Sequence, residues 1–403
     1  MDEFSTTIKG GDTLRIKTAG KYCERDILVY AESNVVKEAA LKDVNFYDYD
    51  GTRLYSYTVA EAQALTALPP LPSREGLICQ GWNYDLETIK SYNRMVDVGA
   101  MYITDDGKTR LYIRIDGRLS VPLYFSQTVA NGVTIDWGDG TATETLMGTG
   151  DKNTTHTYAE SGDYVISLEV AEGCTLGLGK KTSGHNLFGN YHMLYESSTD
   201  YIYGNVLRKA EIGSGVLSLT EGAFDSCYAL AYVVIQYGVT YVTSRTGTVF
   251  YNCYSLRFAV FPSSVTDMGT SYTILYDCYS LRGVVLPGSV KGEIGRLAAT
   301  CYGISRIVLP EGVITFNGVS HCYTISRVVL PSTLTSIGYG AFGHCRGLSI
   351  LDCTACKQVP ILNSSNEFEY APSDFKILVS SNLYHEWMNN SNWAYYTSNI
   401  VAV

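Results

Sequence analysis

Four groups of residues in this 403-residue chain have types and spacings that could do chemistry. Cys353-Thr354-Ala355-Cys356 is a lone CxxC, which in a thioredoxin-like setting is redox active; a local disulfide and plain packing are the other readings. His321-Cys322 and His344-Cys345 recur one period apart, so strand spacing would bring the two imidazoles within about 5 Å. That pair could begin a metal site or simply stack, and two ligands without carboxylates fall short of a zinc set. Asp136 and Asp139 could touch calcium, yet calcium takes six to eight oxygens, and Asp-Gly is first a turn former. The fourth group is a row of tyrosines with nearby arginines.

Tyr228, Tyr254, Tyr279, Tyr302 and Tyr323 each follow a regularly spaced cysteine. Stacked coils would line them into a stripe of large, rigid, amphipathic contact area of the kind paratopes favour, or the rings would shield one another. Arg257, Arg282, Arg306 and Arg327 occupy outward positions of the strands that come next, where they would pair with an anionic glycan or make an ordinary solvated face. No GxSxG elbow, HExxH helix, phosphate-binding glycine loop or paired zinc knuckle occurs. An enzyme is therefore not expected, and neither a catalytic residue, a metal nor another cofactor is assigned.

What must position these side chains is a repeat. Cys227, Cys253, Cys278, Cys301, Cys322 and Cys345 recur at intervals of 26, 25, 23, 21 and 23 residues, each followed three residues on by Leu or Ile. Strand-like hexamers such as LRGVVL and ISRVVL come after, four of them closed by Pro262, Pro287, Pro310 and Pro331. A 20 to 29 residue period with one short strand per unit is the signature of a leucine-rich-repeat-like solenoid. Its units hide their apolar side on their neighbours, so the cysteines are expected as buried rungs. Within the hexamers the first, fourth and sixth positions point inward and the second and third outward.

The segments LPSTLTSIGYGAFGHCRGL and EGAFDSCYAL resemble the BspA-type leucine-rich repeats of bacterial and protozoan surface proteins, over about 205–360. The middle units depart from that pattern, with Val249-Phe250 or Gly318-Val319 in place of Ala-Phe. The tail KILVSSNLYHEWMNNSNWAYYTSNIVAV resembles the strand and amphipathic helix that cap such arrays. Between 117 and 173, WGDGT and HTYxxxGxYxVxL resemble the polycystic-kidney-disease (PKD) type immunoglobulin-like domain, which implies a spacer or weakly adhesive sandwich.

The organisation expected is mainly β and multidomain: a leucine-rich-repeat-like solenoid preceded by an immunoglobulin-like β-sandwich and a small α+β module. The pieces are a short N-terminal β segment (1–41), the α+β module (42–116) ending in a hairpin at Asp106-Gly107, the PKD-like sandwich (117–173), a linker (174–204), the solenoid (205–360) and a C-terminal cap (361–403). Net charge of -10 disfavours nucleic acid, and no run approaches the roughly 18 apolar residues of a membrane helix. Charge is segregated, with 10 basic and 7 acidic residues in 205–347 against 2 and 8 in 117–173.

The front end resembles prophage-encoded tail-fibre or host-recognition proteins of gut bacteria. That resemblance implies a non-enzymatic adhesion or receptor-recognition role, with a host-surface glycan or protein as partner and virion baseplate proteins held through the N-terminal modules. The start of the chain encodes no secretory leader, so location on a virion tail is expected ahead of a bacterial cell surface. A cell-surface adhesin, or a glycan-binding accessory chain of a carbohydrate-active enzyme, is the alternative.

Overall fold

The computed structural model describes residues 13–15, 26–28, 43–179, 186–189, 203–219, 222–242, 248–270, 273–363 and 366–403. The chain divides into two units, Met1–Lys42 and Asp43–Val403. In the first, β1 (Thr13–Arg15) pairs antiparallel with β2 (Asp26–Leu28).

The second unit opens with the α+β module: β3 (Val44–Tyr47), β4 (Arg53–Tyr57), α1 (Val59–Gln63), β5 (Leu77–Trp82), α2 (Leu86–Ser91) and β6 (Val96–Thr104). The sheet order is β4-β3-β6-β5, with β3 and β6 parallel. Both helices are short, so their starts are fixed by side chains. Thr58 and Glu61 form a reciprocal capping box on α1, and the Asp85 carboxylate accepts from Thr88 N–H at 2.7 Å on α2. Strand β6 reads VDVGAMYIT and is buried on both faces. Alternation sends Val96, Val98, Ala100 and Tyr102 into the module's own core with Ala62 and Ile89. Asp97, Gly99 and Met101 are left to face the solenoid.

The turn at Asp105–Lys108 does not close a hairpin within that module. The next strand, β7 (Thr109–Ile115), leaves the β6 sheet and pairs antiparallel with β12 (Gly162–Val170) of the sandwich. The module therefore ends at Thr104, and β7, expected inside it, belongs to the sandwich. One sandwich sheet holds β10 (Glu144–Thr145), β9 (Val133–Asp136), β12 and β7; the other holds β11 (Gly150–Thr157), β8 (Ser120–Gln127) and β13 (Leu176–Leu178). Val121, Leu123 and Phe125 of β8 alternate inward onto Leu111, Ile113 and Ile115 of β7 and onto Trp137. The expected linker 174–204 is in part structural: β13 is a sandwich strand, and Leu187 and Phe188 are fully buried.

Strand β14 (Leu207–Glu211) pairs antiparallel with β7 on one side and parallel with Tyr232–Val234, the first repeat strand, on the other. Sandwich and solenoid thus share one sheet. From there the chain winds through three columns of short parallel strands. One column carries the hexamers: Phe258–Val260, Gly283–Val285, Arg306–Val308, Arg327–Val329 and Ile350–Cys353. A second comes after the prolines, including Gly292–Ile294, Val313–Phe316, Ser336–Ile337 and Ile361–Leu362. The third precedes the cysteines: Phe250–Tyr251, Leu275–Tyr276, Ala298–Ala299 and Val319–Ser320. This is a β-solenoid of about eight turns.

The six repeat cysteines lie in its core as free thiols. Cys253, Cys278 and Cys345 donate to carbonyls of the preceding coil, those of Phe224, Phe250 and Val319, at 3.1, 3.2 and 3.4 Å. Each burial of such a rung with its Leu or Val neighbours stabilises the coil by roughly 1.5–3 kcal/mol per side chain. Burial also pushes these thiols above their ordinary pKa, which removes the thiolate needed for reaction. At the far end Lys376–Val379 and Ile400–Ala402 extend the hexamer column in parallel. Between them α3 (Tyr384–Asn389) and a 3₁₀ segment (Ser391–Asn399) bury Trp387 and Trp393 over the last coil. The Trp393 indole N–H donates to Pro360 O at 2.7 Å and ties this segment to the last coil.

Candidate functional site

Each coil turns a corner at the residue before its cysteine, and that residue is left-handed in every coil: Ser226, Asn252, Asp277, Thr300, His321 and His344, with φ between 53° and 59°. Short polar side chains tolerate this conformation best, which accounts for most of the residue types found there. His321 and His344 are therefore corner residues. Their rings stack at 4.2 Å with 12° between planes, and Tyr370 continues the stack at 4.3 Å. Parallel rings place their nitrogens side by side and do not converge them on one ion. Burial, followed by the neighbouring His344, holds the His321 pKa below its usual value. Among the described residues no three His, Cys, Asp or Glu side chains gather as a metal site.

Two residues beyond each of the first five corners stands a tyrosine, and beyond the sixth stands Arg346. Tyr228, Tyr254, Tyr279, Tyr302 and Tyr323 form one face-to-face ladder with centroid spacings of 4.9, 4.8, 5.0 and 5.0 Å and tilts of 15° or less. The spacing is that of the β-strands beneath. Both ends are closed. The Arg346 guanidinium lies 5.4 Å over the Tyr323 ring, and Gly204 sits so close to Tyr228 that an added methyl would lie 2.5 Å from its ring. No ring face is open to stack on a sugar. What the ladder presents is edges and hydroxyls: Tyr279, Tyr302 and Tyr323 are each nearly 40% exposed, at 39%, 37% and 39%. The hydroxyls of Tyr254, Tyr279, Tyr302 and Tyr323 make no hydrogen bond to another described residue. Burial raises the pKa of Tyr254, Tyr279 and Tyr302, with the neighbouring rings adding to it, so these three hydroxyls keep their protons and can donate as well as accept.

The arginine row does not form the open face that alternation implies. Outward positions of the hexamer strands are covered by the α+β module, whose β6 lies across Phe258–Val260 and Gly283–Val285. Arg306 is enclosed, its guanidinium paired with the Asp97 carboxylate and donating to the Tyr47 hydroxyl at 2.6 Å. Arg306 is therefore removed from the candidate ligand set. Arg327 pairs with Asp352 at 2.5 Å, and Arg257 donates to the Tyr232 hydroxyl at 2.6 Å. Arg282 alone of the four is exposed without a described partner. Asn83 and Tyr84 complete the docking, donating to Phe261 O and Leu286 O at 3.1 Å each, and Arg94 pairs with Glu311 at 2.9 Å. The signal was present in sequence: the fifth hexamer positions, Val234, Val260, Val285, Val308 and Val329, are also outward, and a solvated face does not carry five valines.

The remaining candidates are spoken for. Asp136 accepts from Gly138 N–H, while Asp139 accepts from Thr141 and holds His156 at 2.7 Å, so both serve the turn. Cys353 and Cys356 are buried and free. A cleft of about 580 Å³ between the α+β module and the solenoid has one carboxylate in its lining, Asp85, which caps α2. A two-carboxylate glycosidase arrangement is not built there.

The described geometry defines a leucine-rich-repeat-like β-solenoid carrying a sandwich and a docked α+β module. Residues 194–282 and 221–349 match the model of the BspA type leucine rich repeat region, in six copies. No curated protein matches the chain. Among solved structures it is similar to a leucine rich cell surface protein from Faecalibacterium prausnitzii A2-165, at 19% identity over 40% of this chain and 49% of that one, with a TM-score of 0.29. A leucine-rich repeat protein from Bacteroides ovatus ATCC 8483 is similar at 16% identity over 48% and 59%, with a TM-score of 0.26. The chain spans about half the length of these two proteins.

Proposed function

We propose that this chain is a non-enzymatic recognition protein of a cell or virion surface, and that the tyrosine ladder is the face it presents. The observation that carries the reading is the row of phenol hydroxyls of Tyr254, Tyr279, Tyr302 and Tyr323, which bond no other described residue and sit on rings spaced 4.8–5.0 Å apart along the coils. Such a row hydrogen-bonds and does not stack, so its partner is a polymer rich in hydroxyls, a surface glycan chain, ahead of an apolar protein epitope. The match to repeats of BspA type supports a surface role. The sandwich is read as the spacer that its PKD-like motifs imply. A tail-fibre place, with the modules ahead of the sandwich as the adaptor toward a baseplate, rests on the likeness of the front end to prophage fibre proteins.

The test is a glycan array and a host-cell binding assay with the full chain and with a Tyr254→Phe, Tyr279→Phe, Tyr302→Phe triple variant. Phenylalanine keeps the stack and deletes the hydroxyls. Binding that falls tenfold or more at unchanged melting temperature supports the ladder; binding that stays at wild-type strength removes it. Hydrolysis of any bound glycan would overturn the non-enzymatic part.

A further inference from the structure

At the first-coil end of the ladder, where sandwich and solenoid share a sheet, lies a cavity of about 340 Å³. Arg114 and Arg118 enter its lining from the end of β7 and the turn after it, and Arg208 from β14. Asp116 is the one carboxylate among the lining residues. Three guanidinium groups stand against Asp116 and against Asp163, which pairs with Arg114, leaving a local excess of one positive charge in a chain whose formal net charge is -10.

Arg208 is there because of a backbone irregularity. The β7–β14 register runs Leu207↔Ile113 and then Lys209↔Tyr112, so Arg208 is the extra residue of a β-bulge. A bulge re-aims one side chain out of strand alternation, and such bulges recur beside functional sites. This one brings a guanidinium to the cavity that Arg114 and Arg118 already line. Ala231 N–H donates to Arg208 O at 2.8 Å and fixes the bulged backbone. Neither Arg208 nor Arg118 has an acidic partner among the described residues; Arg118 lies 5.7 Å over the Tyr203 ring. Arg114 holds Asp163 at 3.1 Å, with both side chains at least half exposed, a pair worth little and readily exchanged.

The cavity and the end of the ladder are neighbours along the chain. Gly204 lies against the ring of Tyr228, and its neighbours Tyr203 and Asn205 line the cavity. We infer that this cavity is a subsite for an acidic sugar residue, a carboxylate- or sulfate-bearing unit of the glycan whose neutral part lies along the tyrosine hydroxyls; in that second respect it rests on the function proposed above. Guanidinium forks match the two oxygens of a carboxylate or sulfate, and the volume is at the small end of ligand sites, near one monosaccharide. Asn205 offers a carboxamide to a ring hydroxyl.

The test is titration calorimetry of the full chain with N-acetylneuraminic acid, glucuronic acid, a sulfated N-acetylglucosamine, neutral N-acetylglucosamine and inorganic sulfate. At least one acidic sugar should bind tenfold or more tighter than the neutral sugar. Its affinity should fall with rising salt, and it should drop at least tenfold in both Arg208→Gln and Arg118→Gln, exposed substitutions checked by an unchanged melting temperature. Acidic sugars that bind no better than the neutral one, or wild-type affinity in Arg208→Gln, overturn the subsite. Inorganic sulfate binding as tightly as every acidic sugar overturns the sugar part and leaves an anion site. The hydroxyl-deleted ladder variant should keep monosaccharide acid binding while losing polymer binding, so the two proposals fail separately.

Discussion

Gly99 is the residue on which docking of the α+β module turns, and Gly99→Ala adds the one atom that tests it. A methyl built there falls well inside van der Waals contact with Val260 Cγ1 and 3.3 Å from both Val285 Cγ1 and the Asn83 carboxamide. Carbon atoms pack at about 3.5–4.0 Å, so β6 must back away by roughly 1 Å or Val260 must leave its rotamer. Overpacking of this kind costs about 1–3 kcal/mol. Retreat of β6 also strains the Asn83 and Tyr84 hydrogen bonds to the solenoid, worth about 1 kcal/mol each. The expected loss is therefore about 2–4 kcal/mol. Val260→Ala removes the opposing methyl, so the double variant should be more stable than the sum of the singles by at least about 1 kcal/mol. Urea unfolding of the four proteins gives the cycle, and amide exchange at residue 99, whose N–H donates to Asn83 Oδ1 at 2.7 Å in the docked face, reports the interface. Additive losses, or Gly99→Ala at wild-type stability, would refute the docking geometry.

Three further outcomes are expected. Asp97→Ala strands the enclosed Arg306 guanidinium and should cost about 3–5 kcal/mol, whereas Asp97→Leu with Arg306→Met should recover most of it in the same unfolding assay. Burial raises the Asp97 pKa above its ordinary value despite Arg306. Its ionisation therefore opposes folding, and its stabilising contribution falls as pH rises through the raised pKa. Asp139 behaves oppositely: burial works to raise its pKa, but hydrogen bonds from Thr141 and His156 hold it at about 2, so the stability it gives above about pH 4 is lost as pH falls toward 2. Acid melting of Asp139→Asn should lack that component; an unchanged acid limb would count against the Asp139 pairing. Finally, the six rung thiols should resist a disulfide exchange reagent in the native chain and react only on unfolding, and native-state labelling of any of them would contradict their burial.

Much of this fold is legible in the residues themselves, because a solenoid writes its period into the chain. The six cysteines and the inward Leu and Val positions need nothing beyond spacing, since identical coils face identical surroundings, whereas the cap is legible through the resemblance of the tail to those that close such arrays. The tyrosine ladder comes from the same periodicity, and so does the closure of the ring faces, once strand spacing is seen to equal stacking distance. Contacts between dissimilar modules break that logic. Arg306 looks solvated in sequence because its partner, Asp97, lies 209 residues away and shares no period with it. β7 looks like the second arm of a hairpin because Asp106-Gly107 is a good turn; the register that takes it to β12 depends on which sheet offers an open edge. The bulge at Arg208 leaves no trace in composition at all.

The shared sheet of β7, β14 and the first repeat strand makes the joint between sandwich and coil rigid, whatever the number of coils beyond it. Among the described residues the side-chain contacts given for the α+β module reach along the solenoid as far as Glu311, and the cap's Trp393 is held at Pro360 in the last coil. Coils inserted past that point would displace only the cap, by about 4.8 Å for each unit added. Reach is thus a quantity this architecture can change in discrete steps, by duplicating a segment the length of one repeat, while the mounting end and the acidic-sugar cavity stay as they are.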